Sequence, residues 1–298
     1  MVAQESVADK TKSPSKVKDY VLLLKLRLAF LVVLSALSGY LFVGGAFDVD
    51  FWLLIGGGFL ITGGSNGFNQ IIERDLDKKM DRTANRPIPS GRMSLNEAII
   101  ASSICAISGA ILLFQLNYYA GILGLLAFSL YVFIYTPLKR ITPWAVFVGA
   151  FPGAIPPMLG VIAVTGTFEN EAGLIAGMLF FIQFIWQFPH FWAIAWVLDE
   201  DYAKAGFSLL PSRSRKSKRS AFYILFYTLF MVPVSLLPWV WDLTGELTLL
   251  IGFIAGTWFF VHAYFLYLRL EDKAARGLMF ASFFYLPIIQ FLYVFNKL

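Results

Sequence analysis

The chain has 298 residues, 58% of them apolar and only 14% charged, with a net charge of +5. A mean hydropathy of +0.69 places it among membrane proteins. The positive balance does not point to nucleic acid, because the bases sort by membrane side, and the single cysteine, Cys105, excludes an intrachain disulfide.

Residues 1–19 are polar and charged and read as a disordered cytoplasmic tail, with no cleavage site of the signal-peptide kind. Nine apolar stretches follow, near 21–45, 51–72, 95–115, 118–136, 144–165, 172–197, 220–241, 247–269 and 278–296. Each reaches or approaches the ~20 residues that cross a bilayer. The expected fold is all-α. One domain, residues 20–298, forms a polytopic membrane bundle of nine transmembrane helices around a central cavity that opens to the cytoplasmic side. With nine spans, the N-terminal end and the loops after spans two, four, six and eight carry 23 of the 24 Lys and Arg. The other side holds Lys297 beside Asp48, Asp50, Glu169, Glu171, Asp242 and Glu246. The positive-inside rule then puts the N-terminus in the cytoplasm and the C-terminus outside.

Span two carries Gly56-Gly57-Gly58 and Gly63-Gly64, which suit close helix packing in lipid. It runs into NQIIERDLDKKMDRTANRPIPSGR, residues 69–92, with four acids and six bases. Read as a helix, Asn69, Glu73, Asp77 and Asp81 recur every four residues and stack on one face. Four such oxygen side chains repel one another unless a cation sits among them. A hard cation such as Mg²⁺, held by a few carboxylates and substrate phosphates, fits. Arg82 and Arg86 suit phosphate oxygens, which a guanidinium fork can grip in pairs. The plainer reading is a solvated, orienting loop. Against it, Asn69 still lies within the membrane-spanning pattern, where polar groups are expensive.

Span four ends in YTPLKR, residues 135–140. Lys139 is either a topology charge or a partner of the acidic row, and Arg140 reads as topology. Pro156-Pro157 in span five interrupts the hydrogen-bond ladder, which marks either a cavity wall or a packing kink. In span six, Gln183, Gln187 and His190 share one helical face, expected to line a cavity. Asp199-Glu200-Asp201-Tyr202 then forms a second acidic cluster on the cytoplasmic side. The run Arg213–Arg219, five bases in seven residues, suits anionic lipid headgroups. His262 in span eight reads as packing. If the two acidic clusters converge, they hold metal against a diphosphate at the mouth of an apolar bundle. The chemistry this suggests is loss of diphosphate from a prenyl diphosphate to give an allylic cation, steadied by Mg²⁺, Arg and Lys.

The N-x3-E-x3-D pattern at Asn69, Glu73 and Asp77 resembles the first acid-rich motif of the UbiA-type intramembrane prenyltransferases, which more often carry Asp at the middle position. ERDLDKKMDRTANRP, YTPLKR, GAIPPMLG (153–160), QFPHFWAIAW (187–196) and DYAKAGFSLLP (201–211) resemble the heme branch of that superfamily, the protoheme IX farnesyltransferases or heme O synthases. The likeness runs over at least residues 25–211. It implies transfer of the farnesyl group of farnesyl diphosphate to a vinyl group of protoheme IX, with water addition and diphosphate release, giving heme O. It implies Mg²⁺ as cofactor, with heme as substrate. It also implies a bacterial-type inner-membrane location, with the product passing to heme A synthase or to oxidase assembly. On this resemblance Asn69, Glu73, Asp77 and Asp201 hold Mg²⁺–diphosphate. Arg82, Arg86 and Lys139, with Asn69, bind diphosphate, and the cluster Asp199, Asp201 and Tyr202 completes the second acidic region. His190, with Gln187 beside it, is the candidate heme contact, as an iron ligand or by holding a propionate, or else assists water addition, and counts with Glu73 and Asp77 among the candidate catalytic residues. Two other readings stand beside this one, a prenyltransferase acting on an aromatic quinone precursor and a membrane transporter or heme carrier.

Overall fold

The computed structural model describes residues 15–298. Residues 1–14 of the expected tail lie outside the described residues, and the rest of that tail is helical. Helix α1 spans Lys16–Leu24, with the Ser15 hydroxyl accepting from the Lys18 amide. Its Asp19 is buried and paired with Arg92 at 2.9 Å, so residues 15–19 belong to the folded domain. Helix α2 is Leu26–Phe42, and the two are apolar and long enough together to cross a membrane, bent by 44° at the break between them.

The long α3, Val49–Asp77, starts at Asp48, whose carboxylate accepts from the Asp50 and Phe51 amides. Helix α4 (Leu95–Leu116) is capped by Ser94, and α5 (Tyr118–Ser129) by Asn117. A π-helical turn, Leu130–Tyr135, and the short α6, Thr136–Leu138, continue α5. Then come α7 (Ala145–Thr165), α8 (Asn170–Val197) and α9 (Asp199–Lys204). The chain closes with α10 (Lys218–Val234), α11 (Leu237–Val240), α12 (Glu246–Arg269) and α13 (Asp272–Phe295). Among the described residues seven helices are long and apolar enough to cross a membrane, or eight if the bent α1–α2 pair counts as one span. The Gly-rich, polar α3 is not among them, so a count of nine rests on α3 crossing as well. With 29 residues it has the length to do so.

The helices touch at points their sequences prepare. A Cβ on Gly39 of α2 would lie 2.0 Å from the Pro157 carbonyl oxygen, and one on Gly160 of α7 would lie 1.8 Å from that of Ala36. Bare glycine backbone therefore lets α2 and α7 cross in contact. Pro156-Pro157 lies at this crossing. Pro157 has no N–H for the Gly153 carbonyl. The Gln183 side chain of α8 donates to that carbonyl instead, at 2.7 Å. Its oxygen accepts from Ser35 of α2 (2.7 Å) and Gln290 of α13 (2.8 Å). The Gln187 amide donates to the Ala150 carbonyl at 2.9 Å. Both glutamines, expected in a cavity wall, thus close backbone and interhelix hydrogen bonds, and the proline pair is a packing joint.

The basic run after α9 also binds inward. Arg215 pairs with Asp199 at 2.8 Å, Lys216 with Asp272 at 2.7 Å, and Lys218 donates to the Tyr267 carbonyl. These bonds tie the ends of α9, α12 and α13 together. His262 bonds the Trp258 carbonyl of its own helix, as a packing residue does.

Candidate active site

The last two turns of α3 carry Asn69, Glu73 and Asp77 on one face, all buried. Asp81 does not extend that row. The helix ends at Asp77, where the Thr83 hydroxyl turns back to donate to the Asp77 carbonyl at 2.9 Å, and Met80 is buried under the turn. The Asp81 side chain is consequently 86% exposed.

Each buried acid faces a base from another part of the chain. Lys139, just past α6, sits 2.5 Å from Glu73 Oε1, an ionic contact without hydrogen-bond alignment. Its ammonium also lies over the rings of Tyr135 (4.9 Å) and Phe207 (5.7 Å). Arg86, nine residues beyond Asp77, donates to Asp77 Oδ2 at 2.6 Å. Asp77 Oδ1 is buried with no hydrogen-bond partner among the described residues. Asn69 accepts from Lys25 Nζ at 3.2 Å and donates to Thr136 Oγ1 at 3.3 Å. The π-helical turn prepares this last contact, because Thr136 donates to the Tyr131 carbonyl five residues back.

The second acidic cluster reaches the first loop, where it makes hydrogen bonds to the backbone. Asp201 accepts from the backbone amides of Asp81 (2.8 Å) and Arg82 (3.4 Å). Lys204 is hydrogen-bonded to Asp81, which holds its ammonium above the usual lysine range, and lies 3.5 Å from Asp201. Asp199 is buried against Arg215. Tyr202 packs against Phe207, with ring centroids 6.1 Å apart. Arg82 is exposed at this rim. Among the described residues no three acids, histidines or cysteines are grouped closely enough to hold one ion by themselves.

His190 is buried on α8, stacked on Trp186 at 4.3 Å, with Nδ1 2.7 Å from Ser282 Oγ of α13. The Ser282 hydroxyl donates to the Met279 carbonyl, so Nδ1–H of His190 is the donor and Nε2 keeps its lone pair. A cleft of about 710 Å³ opens on the opposite face of α8, lined by Phe188 and Trp192 with Trp144, Phe147, Tyr223 and Arg213. It lies away from both His190 and the acid row.

The donor set fits Mg²⁺. Two carboxylates and an amide oxygen are hard ligands, one carboxylate oxygen is buried without a hydrogen bond, and Mg²⁺ uses only one or two protein carboxylates beside substrate phosphates. One member of the site gave no signal of its chemistry in the sequence. Lys25 stands in the first apolar stretch with no acid at helical spacing beside it.

Similarity to known proteins agrees with this geometry. The UbiA prenyltransferase family model matches residues 32–286. The protoheme IX farnesyltransferase of Cytophaga hutchinsonii is 47% identical over 289 residues, 95% of this chain and 99% of that one. The protein of the same name from Flavobacterium psychrophilum is 45% identical over 94% of each chain. Among solved structures, a digeranylgeranylglyceryl phosphate synthase superposes with a TM-score of 0.77 at 20% identity, over 94% of this chain and 98% of that one. A UbiA homolog from Archaeoglobus fulgidus bound to GPP and Mg²⁺ superposes with 0.65 at 14% identity, over 93% and 99%. At those identities the two structures speak for the fold alone. With the family matched across most of its length, the chain belongs to the UbiA prenyltransferase family.

Proposed function

We propose that this protein transfers the farnesyl group of farnesyl diphosphate to a vinyl group of protoheme IX and releases heme O and diphosphate. The observation that carries the reading is the buried row Asn69–Glu73–Asp77, faced by Lys139 and Arg86 at the end of an apolar bundle. Relatives at 43–47% identity over nearly the whole chain bear the corresponding name, which favours heme over a quinone precursor as acceptor.

In the reaction the C1–O bond of farnesyl diphosphate breaks, and its electron pair leaves with the diphosphate. The vinyl π electrons form the new bond to C1. The cation left beside the pyrrole ring takes up water and loses a proton, which gives a hydroxyethylfarnesyl side chain. Bound Mg²⁺ would supply Lewis-acid stabilisation of the leaving diphosphate. Glu73 and Asp77, with the Asn69 oxygen, are the residues to hold it. Lys139 and Arg86 neutralise the diphosphate oxygens as the bond breaks. Arg82, exposed on the adjoining loop, meets the diphosphate at the rim. Asp201 serves by fixing that loop. Tyr135, under the Lys139 ammonium, offers a ring face to positive charge. His190 contacts heme, with Ser282 holding the tautomer that leaves Nε2 able to bind iron. The protein is an integral membrane protein, and the charge asymmetry supports an N-terminus in the cytoplasm of a bacterial-type inner membrane.

The test is direct. Membranes carrying the chain are incubated with Mg²⁺, farnesyl diphosphate and protoheme, and the heme is examined by mass spectrometry. A gain of one farnesyl group and one hydroxyl group is expected. Unchanged heme, together with prenylation of an aromatic acid supplied in its place, would move the assignment to the quinone-precursor class.

A further inference from the structure

We infer that the break in the first span exists to deliver a third cation, Lys25, to the diphosphate site, with Asn66 and Gln70 as its positioning residues. The inference rests on the prenyl-diphosphate reading above and adds to it a residue from a different helix.

Helix α1 ends at Leu24 and α2 restarts at Leu26. Between them Lys25 is left-handed, with φ 48° and ψ 54°. Glycine is the residue that takes this conformation without strain, and the chain places lysine there instead. The break takes helical donors away from the carbonyls of Leu22, Leu23 and Leu24. All three are recovered by α3. Gln70 Nε2 donates to Leu22 (2.9 Å) and Leu23 (2.7 Å), and Asn66 Nδ2 donates to Leu24 (3.2 Å). Gln70 and Asn66 are fully or almost fully buried. They precede Glu73 and Asn69 by three residues each, so the same stretch of α3 that bears the acids also holds the break open.

The side chain thus presented reaches the acid row. Its Nζ donates to Asn69 Oδ1 at 3.2 Å, and the charges acting on it are Arg86, Lys139, Glu73 and Asp77. Lys139 and Arg86 each pair with a carboxylate, whereas Lys25 forms no salt bridge with any described residue. Its only side-chain hydrogen-bond partner among the described residues is a neutral amide. Of the three bases that face the acid row, Lys25 is thus the one without a carboxylate of its own among the described residues, and its N–H donors are the ones left for the oxygens of a Mg²⁺-bound diphosphate.

The experiment uses the full chain in detergent and measures binding of Mg²⁺-pyrophosphate and of Mg²⁺-farnesyl diphosphate by calorimetry, with no heme present. Helix content and thermal midpoint are read on every variant. Lys25→Gly keeps the left-handed turn at ease and removes the charge. It is expected to weaken both ligands about ten-fold or more while leaving the midpoint at or above that of the parent chain. Lys25→Arg should stay within a few-fold of the parent. Gln70→Leu should weaken binding too, and adding Lys25→Gly to it should cost less than Lys25→Gly costs alone, because the two act through one contact. Lys25→Gly that binds pyrophosphate as tightly as the parent overturns the inference while leaving the function standing. A parent chain that binds neither ligand overturns both.

Discussion

Asp77 is the residue on which the site's chemistry concentrates, since one oxygen holds Arg86 and the other has no hydrogen-bond partner among the described residues. Substitution by alanine would confuse two effects. It removes a metal ligand, and it strands the largely buried Arg86 guanidinium, at a cost of about 3–5 kcal/mol where such a pair is fully buried. Asp77→Asn keeps the shape and an oxygen for Arg86. It should lower turnover by a factor of about 10²–10³ or more, with the thermal midpoint nearly retained. Normal turnover by this variant would remove the carboxylate row from the mechanism. Lys139→Met should act differently, raising the KM for farnesyl diphosphate more than it changes heme affinity, because its ammonium faces Glu73 and two aromatic rings. At this scale the sequence was informative where residue type and spacing coincide. The four-residue spacing by itself puts Asn69, Glu73 and Asp77 on one helical face. It carried too far at Asp81, because helix termination depends on the Thr83 hydroxyl and buried Met80, and neither is a helix breaker. Lys25 was hidden because a base in an apolar stretch has no periodic partner, and left-handed backbone at lysine has no sequence signature.

At the scale of elements, the helices approach through small residues, and the prolines and glutamines work as pairs. Pro157 frees the Gly153 carbonyl, and Gln183, thirty residues away in sequence, takes it up. Sequence showed a proline pair and a polar face in separate spans. It could not show that one answers the other, since the register between two helices is set by tertiary contact. The same holds for the π-helical turn, which is built from ordinary apolar residues and still turns Thr136 toward Asn69. Gln183→Leu would orphan the Gly153 carbonyl and leave the Gln290 amide with Ser35 alone, and should destabilise the protein by about 1–3 kcal/mol. Gly160→Ala should be at least as harmful, because its Cβ would meet the Ala36 carbonyl oxygen at 1.8 Å and force α2 and α7 apart. Thermal midpoints in detergent measure both. A Gly160→Ala protein as stable as the parent would mean that the crossing is looser than described.

Across the whole molecule, the segments that follow α3 and α8, from distant parts of the chain, are fastened together beside the acid row. Asp201 grips the Asp81 and Arg82 amides, and Lys204 bonds to Asp81. The two fastenings differ in strength for physical reasons. The lysine–aspartate pair is largely exposed, and such pairs contribute about 0–1 kcal/mol. Asp201 is only 15% exposed, and a carboxylate accepting backbone N–H groups makes charge-assisted bonds. The loop it fixes leads from Asp77, the end of the row, to Arg86, which returns to Asp77 nine residues later. Releasing the loop therefore loosens Arg86, proposed to face the diphosphate, without touching Asn69, Glu73 or Asp77. Asp201→Ala should raise the KM for farnesyl diphosphate and speed amide hydrogen exchange over residues 78–86, while exchange in α12 stays as it was. Lys204→Met should change neither by much. If Asp201 instead holds metal directly, Asp201→Ala will abolish Mg²⁺-dependent pyrophosphate binding while exchange over residues 78–86 remains slow, and that pair of results would return Asp201 to the ligand set.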